Sequence, residues 1–494
     1  MTFVYDTQAT VFVRVEDSAR DCVLALRECG SMSGVRRSLL GQEAGGPPPD
    51  ALTQLEDLIA RDGLLRGPVT TYDNEDYERL VRRCLRMSTG NIELYLAEAC
   101  NLRCRYCYVQ DNDALGNGLM PEEVALAAVD LVFRRSRGVD TIQITFFGGE
   151  PLLNKPVLNS VIDYSQARGR AHGKRVTYSI TTNGTLIDDE IIGLIKRYNF
   201  GLMISMDGPP DVHDAMRPMA DGTGSFALAA SKVKRLMRRR HMVTARTTVS
   251  RNCMDLQRIV EYLEDFGFTR VGLSYCVGTS TELGEHDILP EDRPALDAEF
   301  DKQLDRWIER VKRGDPLRND PCFASLRAIH KPEKTPAPML QCGVCRGCTT
   351  VGVDGSLYPC HRYVGNANWV VGDVWRGVSA EKHEAYLRGY FTTKGKCESC
   401  WAVRWCGGMC PWYVSTRDGG FAPPPDHRCD ALKRSIVRSA WLYERVREEC
   451  PEFLATLDEF PDDRALTAAG RPTPSRPGSA RTPSVKAPQM DSLP

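Results

Sequence analysis

Hydrophobic and polar positions alternate most regularly through the middle of the chain. Six short runs rich in β-branched and aromatic residues read as strands: Ile92–Leu96, Thr141–Phe146, Arg175–Ile180, Gly201–Ser205, Met242–Val249 and Thr269–Tyr275. Stretches of helical period separate them, such as Pro121–Arg135, whose proline sits in the first turn, where a missing N–H costs nothing. Strand and helix in alternation predict a parallel α/β architecture from Asn91 to about Gly278.

The flanks read differently. Thr2–Tyr5 and Ala9–Val15 are β-rich runs separated by Asp6-Thr-Gln8, which fits a hairpin. Ser18–Cys29 puts Cys22, Val23 and Leu26 on one helical face, with Gly30 as a stop. A short helix around Val35–Leu40 precedes a Gly/Pro break from Gly41 to Pro49. Asp50 suits the N-cap of a helix carrying Leu52, Leu55, Leu58 and Ile59, which ends at Gly63, and Leu64-Leu65 start a further strand. From about Arg471 to Pro494 the composition turns to Pro, Ser and Arg, cannot bury a core, and reads as a disordered tail. The expected division is residues 1–88, a parallel α/β region over 89–300, a bridging segment 301–340, a cysteine-rich region 341–450 and a tail 451–494.

The 494 residues carry a formal charge of −1, which gives no bulk reason to expect nucleic acid or a membrane surface as partner. No apolar run reaches the roughly 18 residues of a membrane span, and the first residues lack a signal pattern, so a cytoplasmic protein is expected. Nineteen cysteines in such a chain point to metal clusters before disulfides. Seven of them, Cys22, Cys29, Cys84, Cys253, Cys276, Cys322 and Cys450, are scattered and read as buried thiols.

The other twelve are grouped. Cys100-Asn-Leu-Arg-Cys104-Arg-Tyr-Cys107 follows the first barrel strand, and three thiols at this spacing can reach three corners of one iron–sulfur cubane. A structural zinc site normally closes with four ligands. Gly148-Gly149-Glu150 follows the second strand, Thr182-Asn183-Gly184 the third, and Ser205-Met-Asp207-Gly208 ends the fourth. In parallel α/β folds the chemistry sits on the loops at the strands' C-terminal ends. The two glycines allow a backbone to approach a ligand more closely than side chains permit.

The cysteine triad with the Gly-Gly-Glu turn resembles the radical S-adenosylmethionine superfamily. The resemblance implies a partial (β/α)₆ barrel, open on one side, with a four-iron cluster on Cys100, Cys104 and Cys107 and S-adenosyl-L-methionine on its open iron. It further implies that Tyr106 lies against the adenine and that the methionyl amino group is held at Gly148, Gly149 and Glu150. Ser205, with Asn183 and Asp207 nearby, matches a ribose position, and Arg217 in His213-Asp-Ala-Met-Arg217-Pro matches a cofactor-binding position. A hairpin, three helices and a wing in the first 88 residues resemble, in element order, the winged-helix peptide-recognition elements of ribosomal-peptide maturation enzymes. The alternative is a small domain that only packs on the barrel.

The C-terminal cysteines run Cys342-x₂-Cys345-x₂-Cys348, then Val353-Asp-Gly355-x₄-Cys360, then Cys397-x₂-Cys400-x₅-Cys406-x₃-Cys410, and finally Cys429. This is similar to the SPASM pattern, whose members carry two further four-iron clusters. The resemblance places Cys397, Cys400, Cys406 and Cys429 on the outer cluster, and Cys342, Cys360 and Cys410 with Cys345 or Cys348 on the inner one. Two Cys₄ zinc sites are the alternative.

Anaerobic sulfatase maturases carry a basic aspartate directly after the Gly-x₄-Cys cysteine; here His361 stands there, closer to peptide cross-linking members, although a histidine can also accept a proton. The expected function is a peptide maturase. It generates a 5′-deoxyadenosyl radical and installs a cross-link, a thioether first, in a precursor peptide bound through its leader. A flavodoxin- or ferredoxin-type protein would donate the electrons. Alternatives are a maturase of a protein enzyme subunit, forming quinohaemoprotein-type thioethers or sulfatase formylglycine, and a non-catalytic iron–sulfur or zinc protein.

Overall fold

The structure, a computed structural model, describes residues 2–6, 11–15, 74–108, 116–239, 242–278, 284–315, 321–330, 344, 349–398 and 400–458. Strands β1 (Thr2–Asp6) and β2 (Val11–Val15) pair antiparallel with Thr2 opposite Val15, the hairpin the sequence predicts. The remaining helices and wing read from residues 16–73 lie outside the described residues, as do Cys342, Cys345, Cys348 and residues 459–494.

Six parallel strands follow in order: β3 (Asn91–Ala97), β4 (Thr141–Gly148), β5 (Arg175–Thr182), β6 (Gly201–Ser205), β7 (Thr244–Val249) and β8 (Arg270–Tyr275). Their two faces differ. Ile92, Leu94 and Leu96, Ile142, Ile144 and Phe146, and Leu202 and Ile204 point to the helices and build the main core. The alternate positions, which a strand must turn to the opposite face, are Glu93, Tyr95, Gln143, Thr145, Phe147, Ser179, Thr181, Ser205, Arg246 and Thr248. This inner face is largely polar and cross-linked: Thr145 Oγ1 lies 2.8 Å from Ser179 Oγ, and Gln143 Nε2 donates to the same oxygen at 3.2 Å. Polar residues on the concave side leave a space that suits a polar ligand better than a hydrophobic core.

The helices have ordinary local causes. Glu122–Arg135 starts after Pro121, Asp188 caps Asp189–Tyr198 by accepting from Ile191 N–H, and Asp255 caps Leu256–Phe266 through Arg258 N–H.

The sheet does not stop at the barrel. Strand β9 (Thr350–Val351) pairs parallel with β3, placing Thr350 beside Glu93, and β10 (Ser356–Tyr358), β11 (Gly372–Asp373) and β12 (Gly377–Val378) continue antiparallel. Ten strands therefore form one sheet in the order β12-β11-β10-β9-β3-β4-β5-β6-β7-β8. A second core ties the two regions together, with Tyr95 of β3 buried among Tyr358, Tyr363, Trp369, Tyr386 and Tyr390.

Two expected boundaries move. The one at residue 300 falls inside the helix Arg293–Lys312, whose Leu304, Trp307, Ile308 and Val311 pack on Leu442 and Val446 of the long helix Asp426–Glu449. The tail set to begin at residue 451 starts with a further helix, Phe453–Asp458, because Leu457 is fully buried in that same core.

Candidate active site

The triad loop leaves β3 and is stitched to its neighbours by backbone and side chain. Arg103 N–H donates to Pro218 O, Arg105 N–H to Met216 O, and Ala220 N–H to Asn101 O, so the loop is held against the segment on either side of Arg217. Asn101 Nδ2 donates to Thr185 Oγ1 at 2.9 Å, and Asn183 Nδ2 donates to Asn101 Oδ1 at 2.9 Å. Asn183 Nδ2 also lies 3.9 Å from Cys100 Sγ.

Burial holds the Cys100 thiol up at about 11 and Cys104 at about 12, with Cys107 adding to both and Cys100 adding to Cys104. Neighbouring thiols become thiolates together only when a cation offsets their charge, as metal binding does. The donor set fits an iron–sulfur cluster.

Glu150 is fully buried and accepts three hydrogen bonds: from Thr182 Oγ1 at 2.7 Å, Asn183 N–H at 2.8 Å and Leu152 N–H at 3.0 Å. Burial lifts its carboxyl to about 7 although all three donors pull it down. Glu150 thus locks the loop after β4 to the loop after β5.

The glycines before it serve this packing. A Cβ on Gly149 would lie 2.5 Å from both Glu98 O and Ala99 O, and one on Gly148 would lie 2.4 Å from Ala97 O. Gly148 also takes φ +144, which other residues avoid. The backbone that these glycines admit is the run from Ala97 to Ala99, which leads into Cys100.

Asp207 and Arg217 form a buried two-point pair, Nε to Oδ2 and Nη2 to Oδ1, both at 2.9 Å. Asp207 Oδ1 also accepts from Thr248 N–H, and Oδ2 accepts from the Tyr106 hydroxyl. The guanidinium lies 5.4 Å from the Tyr106 ring centre. Tyr106, between two triad cysteines, is therefore anchored to the loop after β6. Below this pair His213 is buried: its Nδ1 accepts from Asp207 N–H at 3.4 Å and its Nε2 meets Ser225 Oγ at 3.0 Å. Burial, then the charge of Arg217, hold its pKa down at about 4. Ser205 ends β6 on the inner face, half-buried.

Among the C-terminal cysteines, Cys397, Cys400, Cys406 and Cys429 line one cavity with Val403, Gly408, Met409 and Lys433. Burial pushes the Cys360 thiol well up, and nearby Cys410 adds to this. Every described cysteine is a free thiol, and among the described residues no three His, Cys, Asp or Glu side chains are set around a single metal ion. Lys394 is fully buried beside the four-cysteine cavity, donating to Gly408 O at 2.9 Å with Nζ 3.8 Å from the Tyr390 ring centre. Burial lowers its pKa to about 8 against the pull of Cys397, Cys406 and Cys429.

A second group joins His361, singled out in the sequence, to Glu93, which sequence reasoning overlooked. Glu93 Oε1 accepts from Thr350 Oγ1 at 2.8 Å and lies 3.0 Å from His361 Nδ1, while the imidazole stacks on Phe147 at 4.4 Å between centres. The available signal was one acid inside the apolar strand Ile-Glu-Leu-Tyr-Leu, at an inner-face position.

Comparison with known proteins agrees with this geometry. The model of the Radical SAM superfamily matches residues 94–226. The radical SAM cyclopropyl synthase TigE of Paramaledivibacter caminithermalis is 25% identical over 391 residues, covering 74% of this chain and 77% of its own. A cysteine-type anaerobic sulfatase-maturating enzyme of Clostridium perfringens is 26% identical over 335 residues, covering 64% and 86%. Among solved structures, native anSMEcpe with bound AdoMet and Cp18Cys peptide aligns with TM-score 0.60 at 20% identity, covering 75% of this chain and 99% of that one. Streptococcus suis SuiB bound to S-adenosylmethionine aligns with TM-score 0.50 at 12% identity, over 85% and 95%. At such identities the two structures speak for the fold alone.

Proposed function

We propose that this chain, which carries a radical SAM domain, is a SPASM-type maturase that modifies a peptide, installing a cross-link with a thioether as the first expectation. One observation carries the reading. The three-thiol loop is fastened at the C-terminal rim of a parallel barrel to both neighbouring motifs, through Asn101–Asn183–Glu150 on one side and Tyr106–Asp207–Arg217 on the other. A carrier or scaffold that only holds metal has no need of a polar barrel interior beside its cluster.

Cys100, Cys104 and Cys107 would hold a four-iron cluster and leave one iron for S-adenosyl-L-methionine, with Tyr106, Gly148, Gly149, Ser205 and Arg217 around the cofactor. Bound there, these groups supply one-electron cleavage and hydrogen abstraction. The protein's own part is orientation. Asp207 fixes Tyr106 and Arg217, and Glu150 fixes the Gly-Gly turn against the cysteine loop. Cys397, Cys400, Cys406 and Cys429 would hold one auxiliary cluster. Cys342, Cys360 and Cys410, with Cys345 or Cys348, would hold the other. An external flavodoxin or ferredoxin would supply electrons. The first 88 residues would receive the peptide's leader, the edge of the β1–β2 hairpin offering main-chain groups to an added strand.

The test is anaerobic reconstitution followed by reduction with S-adenosylmethionine. About twelve irons per chain and release of 5′-deoxyadenosine are expected. The triple change C100A/C104A/C107A should remove about four irons and all cofactor cleavage. Continued 5′-deoxyadenosine formation by that variant would refute the assignment. Incubation with a sulfatase-derived cysteine peptide separates the formylglycine alternative, and product from that peptide overturns the cross-linking reading.

A further inference from the structure

Lys394 is fully buried three residues before Cys397, just past the end of the helix Ala380–Thr392. It grips the four-cysteine site at two places. Its carbonyl accepts from Cys397 N–H at 2.7 Å, at the turn Gly395–Glu398. Its ammonium crosses to the segment between Cys406 and Cys410, donating to Gly408 O at 2.9 Å, and rests 3.8 Å from the centre of the Tyr390 ring.

That segment has an uncommon backbone. Gly407, Gly408 and Met409 follow one another at φ +63, +84 and +73. Two glycines take this left-handed region freely, but a methionine enters it only where its surroundings hold it. The hold is on the carbonyl side. The Tyr390 hydroxyl lies 3.4, 2.9 and 2.7 Å from the carbonyl oxygens of Gly407, Gly408 and Met409, and Lys394 shares the middle one. On the other side the N–H groups of Gly408 and Met409 donate to the Cys406 sulfur. Both residues line the cavity with Cys397, Cys400, Cys406 and Cys429.

Two other lysines come near Cys429, but Lys396 and Lys433 reach solvent and have carboxylates, Asp426 at 2.8 Å and Asp430 at 3.7 Å. Water screens such pairs. Among the described residues Lys394 pairs with no carboxylate, and the groups that draw on its charge are Cys397, Cys406, Cys429 and Cys410. A desolvated ammonium is costly unless negative charge lies close, and thiolates on a metal cluster are where this site would carry it.

We propose that Lys394 is the counter-cation of the cluster held by Cys397, Cys400, Cys406 and Cys429, and that it raises the reduction potential of that cluster. This rests on the cluster assignment in the maturase reading above. Reduction adds negative charge, so a fixed cation and N–H donors on a sulfur favour the reduced form. A buried charge acts through a weak dielectric, which sets Lys394 apart from the two surface lysines. Lys394 is a positioning residue: it holds the Gly408 carbonyl so that the N–H groups beside it stay on Cys406.

The test is a dithionite redox titration of the full reconstituted chain, read by electron paramagnetic resonance. The signal followed is the one that Cys429→Ala alters. Lys394→Gln keeps a donor for Gly408 O without the charge, and Lys394→Met keeps neither. In both, the midpoint should move to more negative potential. At the wild-type midpoint the reduced-to-oxidised ratio should fall about tenfold or more, a shift of about 59 mV for one electron. Lys394→Arg should stay near the wild type, and the other clusters should keep their midpoints.

An unchanged midpoint in the two neutral variants, or an equal shift of every signal, overturns the proposal. If the neutral variants load about four irons fewer while Lys394→Arg loads them all, the charge is needed to assemble the cluster, which supports it. Loss of those irons in all three variants overturns it, because Lys394 would then only fill space. A wild type without the Cys429-dependent signal removes the cluster assignment itself. A wild type with that signal, and neutral variants at its midpoint, removes only the part given to Lys394.

Discussion

Glu93 and His361 stand 268 positions apart in the chain, and their Oε1 and Nδ1 atoms are 3.0 Å apart. The contact bridges β3 of the barrel and the turn that follows Cys360. Burial raises the Glu93 carboxyl, but the charge and hydrogen bond of His361, with the Thr350 hydroxyl, bring it below the ordinary carboxylate value of 4.5. Its contribution to stability is therefore complete above that value and disappears only as pH falls through the depressed pKa.

Breaking this bridge should be costly and non-additive. Glu93→Gln and His361→Phe are each expected to lower stability by about 1–3 kcal/mol, since each removes the charge-assisted contact between the two side chains. The double variant should recover at least about 1 kcal/mol relative to the sum. Urea unfolding of the four proteins measures this, and strict additivity would show that the two residues do not act together.

Asp207 and Arg217 pose the same question closer to the cofactor loop. Asp207→Asn leaves a buried guanidinium unpaired and should cost about 3–5 kcal/mol. Asp207→Asn with Arg217→Gln should regain much of that stability, yet S-adenosylmethionine affinity should stay low, because Tyr106 and the Arg217 position are both lost. A double variant that binds cofactor like the wild type would reduce the pair to a structural support. Denaturant midpoints and equilibrium dialysis separate the two results.

Cluster occupancy should divide by spatial group, not by sequence order. Replacing any one of Cys397, Cys400, Cys406 or Cys429 by alanine is expected to alter the same electron paramagnetic resonance signal, whereas Cys360→Ala and Cys410→Ala should both alter another. Cys406 and Cys410 are neighbours on the chain, so matching spectra for those two variants would contradict the grouping.

Glu150 and His213 give opposing pH dependences. Between about 4.5 and 7 the unfolded chain releases the Glu150 proton that the folded one keeps, so stability falls as pH rises. Between 6.5 and about 4 the unfolded chain takes up a proton that buried His213 refuses, so stability falls as pH drops. Each slope integrates to at most about 3 kcal/mol, and they oppose one another where the windows overlap. Glu150→Gln should therefore become acid-sensitive in that overlap, and His213→Gln should become more stable on acidification. Melting temperatures against pH for the three proteins give the signs directly.

Much of this was legible before any coordinates. The six barrel strands are strong period-two runs between turns, and each rim motif follows the strand expected of it. What escaped has physical reasons. Strand β9 is only two residues long and shows no pattern of its own, so its union with β3 is decided by tertiary packing. Glu93 looks like any polar strand position until Thr350 and His361 arrive beside it. The Gly-Gly pair signals close approach, but only the fold shows how near the backbone from Ala97 to Ala99 comes to it. The helix Arg293–Lys312 was crossed by a boundary because its partner, Asp426–Glu449, lies far downstream.

The parallel pairing of β3 with β9 also sets a timetable for synthesis. Glu93 and Thr350 are 257 positions apart, so a ribosome adding about 5–20 residues per second makes β9 roughly ten to fifty seconds after β3. Throughout that interval β3 can pair with β4 on one side while its other edge shows unused N–H and C=O groups, the kind of surface on which nascent chains associate. The loop bearing Cys100, Cys104 and Cys107 grows out of this exposed strand. A gene fragment ending before residue 349 should accordingly yield inclusion bodies and no minimal barrel, and soluble recombinant protein should depend on slow, cool expression of the whole chain.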